Sequence, residues 1–387
     1  MTFDRRALAV ATAGFSAFVN LYSPQALLPE LAREFGVGAG EISALITAST
    51  AAIALTAPFT GALADVLGRK RLITAAMFAV VAPTLVMTLA SSVPQLVFWR
   101  FAQGLLLPPI FTVAVAYVGD EWPPAEVPRV IGLFISGSSI GGFSGRFVTG
   151  AVADLLGWRA SFAAVALLTL AGAIIVAVAL PRERRFVRTG GFVASAGQML
   201  AHLRNPRLLA IYAVGFGVLF NFIATFTYVS FHLAAPPYSF SPTLLGAIFA
   251  TYLGGSIAVP WVGRAIVLFG RRRFVLGIIA IWMIGALMLL AAPVLVIVAG
   301  LTLCATCGMV CQAVSTGYVI TTATQGRSSA AGLYASMFYI GGSAGAALIG
   351  PVWNATGWSG CVAAIIATQA ILAVIVATAW ERSRISV

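Results

Sequence analysis

Two arginines, Arg100 and Arg146, stand inside long apolar segments of the chain. A cation in hydrocarbon is costly, and such residues face the interior of a helix bundle, where they bind a solute, relay protons or pair with a partner. Arg100 lies in "WRFAQG", with Gln103 on the neighbouring face. Arg146 lies in "ISGSSIGGFSGRFVTG", otherwise uncharged and dense in small residues. At 3.6 residues per turn it shares a side with Ser139, Gly142, Thr149 and Gly150, a polar side suited to a wet cavity. Gly137, Gly141 and Gly145 form a separate row at i, i+4 and i+8, which lets another helix approach closely. Other readings remain open. Both arginines sit about two turns from an outer end and could snorkel to the interface. Arg146 could instead pair with Asp154 or Glu30 and close the outer face.

Moving a proton requires a group that changes charge, and carboxylates are scarce. Asp65 ends the second apolar segment, where it can meet a helix N-terminus or an arginine and lock one conformation. No other acid lies in the middle of a segment; Glu30, Glu34, Glu41 and Asp154 lie near outer ends. Glu30 and Asp154 are the best placed, through pairing with the two arginines. His232 titrates near neutrality, but at a helix end it also reads as an interfacial residue. Two cations with few buried acids would favour an anionic or zwitterionic solute. Asn20, Tyr22 and Gln25 near the start, and Asn221, Thr225 and Tyr228 in "FNFIATFTYVSFHL", offer a polar and aromatic lining. The latter stripe equally reads as packing between helices. Cys304, Cys307 and Cys311 share one apolar segment at i, i+3 and i+7. With no His, Asp or Glu nearby in sequence they read as small apolar residues, so neither a metal nor another cofactor is expected. No HExxH, no GxSxG, no intramembrane carboxylate pair and no GxxxxGK[ST] loop occurs, which argues against an enzyme and against direct use of ATP.

The elements that hold these residues follow from composition. Of 387 residues, 60% are hydrophobic and 9% charged, against about 25% charged in soluble domains. Apolar runs of about 20 residues recur, the length an α-helix needs to cross a bilayer. The pattern predicts an all-α polytopic membrane protein with twelve spans, near 7–28, 42–65, 71–91, 94–119, 127–152, 158–180, 207–231, 242–267, 273–291, 293–320, 328–352 and 359–380. The N-terminus has the look of a secretory signal but reads as the first span, retained. With twelve spans both termini share a side, and all but four of the 23 basic residues fall there. That bias predicts cytoplasmic termini. It also makes the net charge of +12 topological, so no nucleic-acid partner is implied.

The polar stretch from Pro181 to Arg207 divides the chain into an N-terminal bundle (1–180), a linker (181–206) and a C-terminal bundle (207–387). "GLFISGSSIGGFSGRFVTGAVADLLGW" from Gly132 is echoed by "GLYASMFYIGGSAGAALIGPVWNATGW" from Gly332, without a gap. Gly141, Gly142 and Gly145 recur as Gly341, Gly342 and Gly345, whereas Arg146 becomes Ala346. "GALADVLGRKR" from Gly61 is echoed by "GRAIVLFGRRR" from Gly263, with Val267 in the place of Asp65. Duplicated halves around a midplane site are a transporter architecture.

"GALADVLGRKR" resembles the loop motif of the major facilitator superfamily, and "RFAQG" resembles the fourth-helix motif of its drug:proton antiporter branch. "ISGSSIGGFSGR" is similar to a stretch of bacterial inner-membrane transport proteins in that superfamily. The resemblance implies a twelve-helix secondary transporter that acts as a monomer by alternating access. It implies a gate at Gly61, Asp65, Gly68, Arg69 and Lys70, echoed at Gly270 and Arg271, though these basic residues equally read as cytoplasmic anchors. For Arg100, with Gln103 beside it, it implies a part in proton coupling or substrate binding. Two departures stand out: Val66 where the family often has a basic residue, and Gly137-Ser138 where the branch has Gly-Pro. The expected function is proton-coupled export of small organic molecules from the bacterial inner membrane, with substrate, protons and lipid as partners. Proton-linked uptake is the alternative; a lipid carrier or a membrane sensor on the same scaffold is a further one.

Overall fold

A computed structural model describes residues 4–183, 192–323 and 326–380. In hydrocarbon every backbone N–H and C=O must be satisfied within the protein, which a helix does locally. The described residues contain no strand, and helices run through each of the expected spans. Among the described residues, eight helical stretches are long and apolar enough to cross a membrane. The helices used below are α1 (Arg5–Tyr22), α2 (Arg69–Val86), α3 (Val93–Leu106), α4 (Val127–Leu156), α5 (Trp158–Ala179), α6 (Pro206–Ala234), α7 (Val262–Phe269), α8 (Arg271–Met288), α9 (Val294–Thr322) and α10 (Arg327–Ala379). Gly357, with non-helical backbone, breaks α10 into two arms. Gly68 and Gly270 make the same sharp turn, at φ 85° and 74° and ψ 144° and 143°, just before α2 and α8. That region favours glycine, because a Cβ would be crowded there.

The described residues fall into two compact units: 4–38, 44–183 and 233–249 in the first, and 39–43, 192–232 and 250–380 in the second. Two short pieces thus group away from their neighbours in sequence. Residues 39–43 join the second unit, where the Gly40 and Gly350 backbones touch. Residues 233–249 join the first, where Gly150 faces the Pro242 carbonyl and Gly246 lies on the Arg146 backbone.

The predicted glycine row organises the first unit. Gly137, Gly141 and Gly145 of α4 lie on the backbones of Ala11, Phe15 and Val19 of α1, each glycine against one carbonyl. The contacted residues are also four apart, so the helices run in parallel with the two rows matched turn by turn. The second unit repeats this: Gly341 lies on the Phe216 backbone and Gly345 on that of Phe220. Gly342 touches the Leu219 and Ile223 side chains instead, and Gly142 faces Arg146 and Tyr22 at ordinary contact distance. The repeat therefore extends to the opposing helices: "GF" followed by Asn occurs as Gly14, Phe15 and Asn20 in α1 and as Gly215, Phe216 and Asn221 in α6.

A methyl group at these contacts would drive the helices apart. Gly141→Ala and Gly341→Ala should each destabilise the protein by about 1–3 kcal/mol, the usual cost of overpacking. Gly132→Ala in the same helix meets open space and should be neutral or stabilising by up to about 1 kcal/mol. Thermal unfolding in detergent measures both. Equal midpoints for Gly141→Ala and Gly132→Ala would contradict the packing assignment.

Candidate functional site

The helix α1, packed on α4, ends just before Pro24. Pro24 has no N–H, so the Asn20 carbonyl has no partner at i+4. The chain tightens into a 3-10 turn over Ser23–Ala26. Arg100 of α3 occupies this helix end. Its Nη1 donates to the Asn20 carbonyl at 2.9 Å, its Nη2 to the Leu21 carbonyl at 2.6 Å and to Ser49 Oγ at 2.8 Å. Nε donates to the Leu45 carbonyl at 3.3 Å, and Nη1 also reaches Gln103 Oε1. Gln103 Nε2 continues to Asn20 Oδ1 at 2.9 Å and Thr84 Oγ1 at 2.7 Å, and Asn20 Nδ2 to Thr169 Oγ1 at 2.7 Å. Arg100 and Gln103 are wholly buried. Arg100 therefore does not snorkel. It is a cation held by neutral acceptors at the negative end of a helix. Ser49, Thr84 and Thr169 escaped the sequence reading; the available signal was hydroxyl residues in apolar spans.

Arg146 forms a second cluster on the other side of the same helix end. Its Nε donates to Gln25 Oε1 at 2.7 Å and its Nη1 to the Gly142 carbonyl at 2.7 Å. The guanidinium carbon lies 4.2 Å from the Tyr22 ring centre and 4.2 Å from that of Phe249. A desolvated cation–aromatic contact is worth about 2 kcal/mol. Thr149, one turn along, donates to the Ser23 carbonyl at 2.8 Å. The expected lining thus splits in two: Asn20 belongs to Arg100, while Tyr22 and Gln25 belong to Arg146. Phe249 was not anticipated, being remote in sequence.

Glu30 and Asp154, expected near outer ends, behave differently from one another. Asp154 Oδ2 accepts from Ser241 Oγ at 2.8 Å and from the Thr243 amide at 2.9 Å, where the helix Pro242–Ala247 begins. Glu30 is half-buried, and its Oε2 has no hydrogen-bond partner among the described residues. Burial pushes its carboxyl above the ordinary range; Arg33 opposes this, while Asp154 and Glu34 add to it.

At the other end of the first unit, Glu183 accepts from the Arg69 and Lys70 amides at 3.0 and 3.3 Å, capping α2. The Arg69 side chain pairs with Asp120 at 2.5 Å. Asp65 lies close enough to Asp120 for their charges to interact. A Cβ built on Gly61 would meet nothing within 4 Å, so no close backbone approach uses this glycine. In the second unit Arg271 stacks on the Tyr318 ring at 4.1 Å, and Tyr318 packs on Trp380 at 5.0 Å.

The remaining candidates belong to the second unit. Asn221 Nδ2 donates back to the Gly217 carbonyl at 2.7 Å, as Asn20 does to Ser16 at 2.8 Å. Asn221 Oδ1, Thr225 Oγ1 and both amide atoms of Gln369 are buried without partners among the described residues. Gln369 was missed in sequence, although it is a lone amide in an apolar arm. Tyr228 donates to the Ala346 carbonyl at 2.6 Å, at the position that repeats Arg146. His232 stacks on Trp358 at 5.2 Å. The four cysteines are buried thiols, and no group of three or more potential metal ligands occurs among the described residues.

Two predictions follow from this geometry. Lysine cannot reproduce the planar fork of Arg100. Arg100→Lys should cost about 3 kcal/mol, from two charge-assisted hydrogen bonds at about 1.5 kcal/mol each. An unchanged unfolding midpoint in detergent would contradict the network. For Glu30 the folded protein binds the proton more tightly than the unfolded chain. Its contribution to stability is therefore full at acid pH and is lost as pH rises through the raised folded value. The unfolding midpoint should decline over that window, and Glu30→Gln should flatten the decline.

The sequence profile of the Major Facilitator Superfamily matches residues 10–236. The inner membrane transport protein YnfM of Escherichia coli (strain K12) is 32% identical over 381 residues, covering 98% of this chain and 91% of that protein. An uncharacterized MFS-type transporter of Bacillus subtilis (strain 168), YybF, is 28% identical over 364 residues, covering 94% and 90%. The crystal structure of the nucleoside transporter NupG (D323A mutant) shares the fold, with a TM-score of 0.81 at 13% identity over 97% of this chain and all of that one. Paired glycine-packed helices, membrane-length apolar spans and these matches together place the chain in the Major Facilitator Superfamily, as a multi-pass membrane transporter.

Proposed function

We propose that the protein is a proton-coupled exporter of small anionic or zwitterionic organic molecules, working by alternating access. In this reading it acts as a monomer in the bacterial inner membrane with both termini in the cytoplasm. The observation that carries the proposal is Arg146, a buried guanidinium stacked between Tyr22 and Phe249 and oriented by Gln25. Its counterpart in the repeat is Ala346, so packing alone does not account for the charge. A carboxylate, phosphate or sulfonate on the solute would exchange ring contacts for charge-assisted hydrogen bonds. Arg100 holds the supporting framework. Glu30, whose carboxyl is shifted towards neutral pH, is the proposed proton acceptor. Asp65, Arg69 and Lys70, with Gly68 at the turn, are the proposed gate on the opposite face, and Gly270 and Arg271 their counterpart. The resemblance of "RFAQG" to the antiporter motif favours export; proton-linked uptake is the second reading.

Flux of a panel of organic anions and zwitterions in proteoliposomes under an imposed pH gradient tests this. Gradient-driven antiport is expected, whereas symport would favour uptake, and flux indifferent to the gradient would refute proton coupling. Arg146→Ala should lower transport by roughly ten- to a hundredfold, the equivalent of about 1.5–3 kcal/mol for a charged hydrogen bond. Insertion and elution as a folded species should persist, and Arg146→Lys should retain part of the activity. Unchanged kinetics in Arg146→Ala would make the residue structural.

A further inference from the structure

The stretch leading into α7 and α8 combines an apolar face with arginines that have no carboxylate partner among the described residues. Leu253, Ile257, Trp261, Arg264 and Leu268 recur at spacings of four, four, three and four residues, which puts them on one side of the helix. Ile257, Trp261 and Leu268 are 72%, 59% and 71% exposed. The Arg264 guanidinium lies 5.0 Å from the Trp261 ring centre. Past Gly270, α8 opens with Arg271, Arg272 and Arg273. Three cations at the positive end of a helix dipole repel it.

The repeat shows what has been added. In the first copy of this stretch, 202 residues earlier, the same face reads Leu55, Phe59, Ala62 and Val66. Tryptophan and arginine thus replace Phe59 and Ala62. The first copy also supplies its own counter-charge: Asp120 pairs with Arg69, and the Glu183 carboxylate sits on the first amides of α2. In the second copy Arg271 stacks on Tyr318 instead. From Arg184 to Trp380 the chain contains no Asp or Glu at all.

We propose that this face binds an anionic phospholipid. The acyl chains lie along Leu253 and Ile257, Trp261 marks the level of the headgroup, and Arg264 with Arg272 and Arg273 takes the phosphate. Each part matches its partner chemically. Tryptophan concentrates at the membrane–water interface, juxtamembrane arginines attract anionic lipid, and guanidinium binds phosphate through parallel hydrogen bonds. The proposal does not depend on the transported solute or the direction of transport. Glu381, the one acid after Glu183, lies outside the described residues and is the rival source of counter-charge.

Quenching of tryptophan fluorescence by brominated lipid tests it on the full chain in vesicles. The Trp261 signal is the difference between the native protein and Trp261→Phe. Brominated phosphatidylglycerol should be bound at least about fivefold more tightly than brominated phosphatidylcholine at this position, the gain expected from one basic residue near an anionic surface. The triple variant Arg264→Gln, Arg272→Gln, Arg273→Gln should bring the ratio close to one while quenching of the other tryptophans by brominated phosphatidylcholine stays the same. A ratio near one in the native protein would overturn the proposal, as would a ratio unaffected by the triple substitution. Loss of the preference on adding inorganic phosphate would show a free-anion site and not a lipid site. A preference that appears only in Glu381→Gln would identify Glu381 as the counter-charge and likewise overturn it.

Discussion

Backbone-to-backbone contact between α1 and α4 is the constraint on which the first unit depends. Gly137, Gly141 and Gly145 place the α4 axis so near α1 that no side chain fits between them. Membrane helices gain no hydrophobic energy from leaving lipid for one another, so this intimate packing carries much of their association. It also fixes rotation: with Gly145 against Val19, Arg146 is directed towards Tyr22 and Gln25. The second unit repeats the contact through Gly341 and Gly345. The scaffold is therefore duplicated more faithfully than the chemistry mounted on it.

The end of α1 serves both buried arginines. Pro24 frees a carbonyl that a regular helix would use, and Arg100 takes it together with that of Leu21. Arg146 uses the next turn, through an amide oxygen and an aromatic face. Arg100 is held without a carboxylate, which suits a group that keeps its charge. A charge-changing step would then fall to a group in another setting. Glu30, half-buried beside Asp154 and Glu34, has that setting.

The two units solve the same problems with different chemistry. Behind the first sharp glycine turn, arginine meets carboxylates at Asp120 and Glu183; behind the second, it meets Tyr318. Both side-chain polar atoms of Asn20 find protein partners, whereas Asn221 Oδ1 and both amide atoms of Gln369 have none among the described residues. A buried polar group without a partner is costly, so the same asparagine position is satisfied differently in the two units.

Much of this was legible in sequence because it rests on periodicity and inventory. The spans follow from the length of apolar runs, the glycine row from spacing by four, and the duplication from the ungapped match between the stretches at Gly132 and Gly332. The oddity of Arg100 and Arg146 follows from the cost of charge in hydrocarbon. Partners were not legible, because a hydrogen bond is chosen by the approach of helices that are distant in sequence. Asp154 was a plausible mate for Arg146, yet its Oδ2 caps the helix at Thr243, 89 residues away. Asn20 reads as cavity lining until the Pro24 turn brings its carbonyl to Arg100. Sequence alone determined which groups are too polar for their surroundings; the tertiary structure decided which groups satisfy them, because direction and distance exist only once the helices pack.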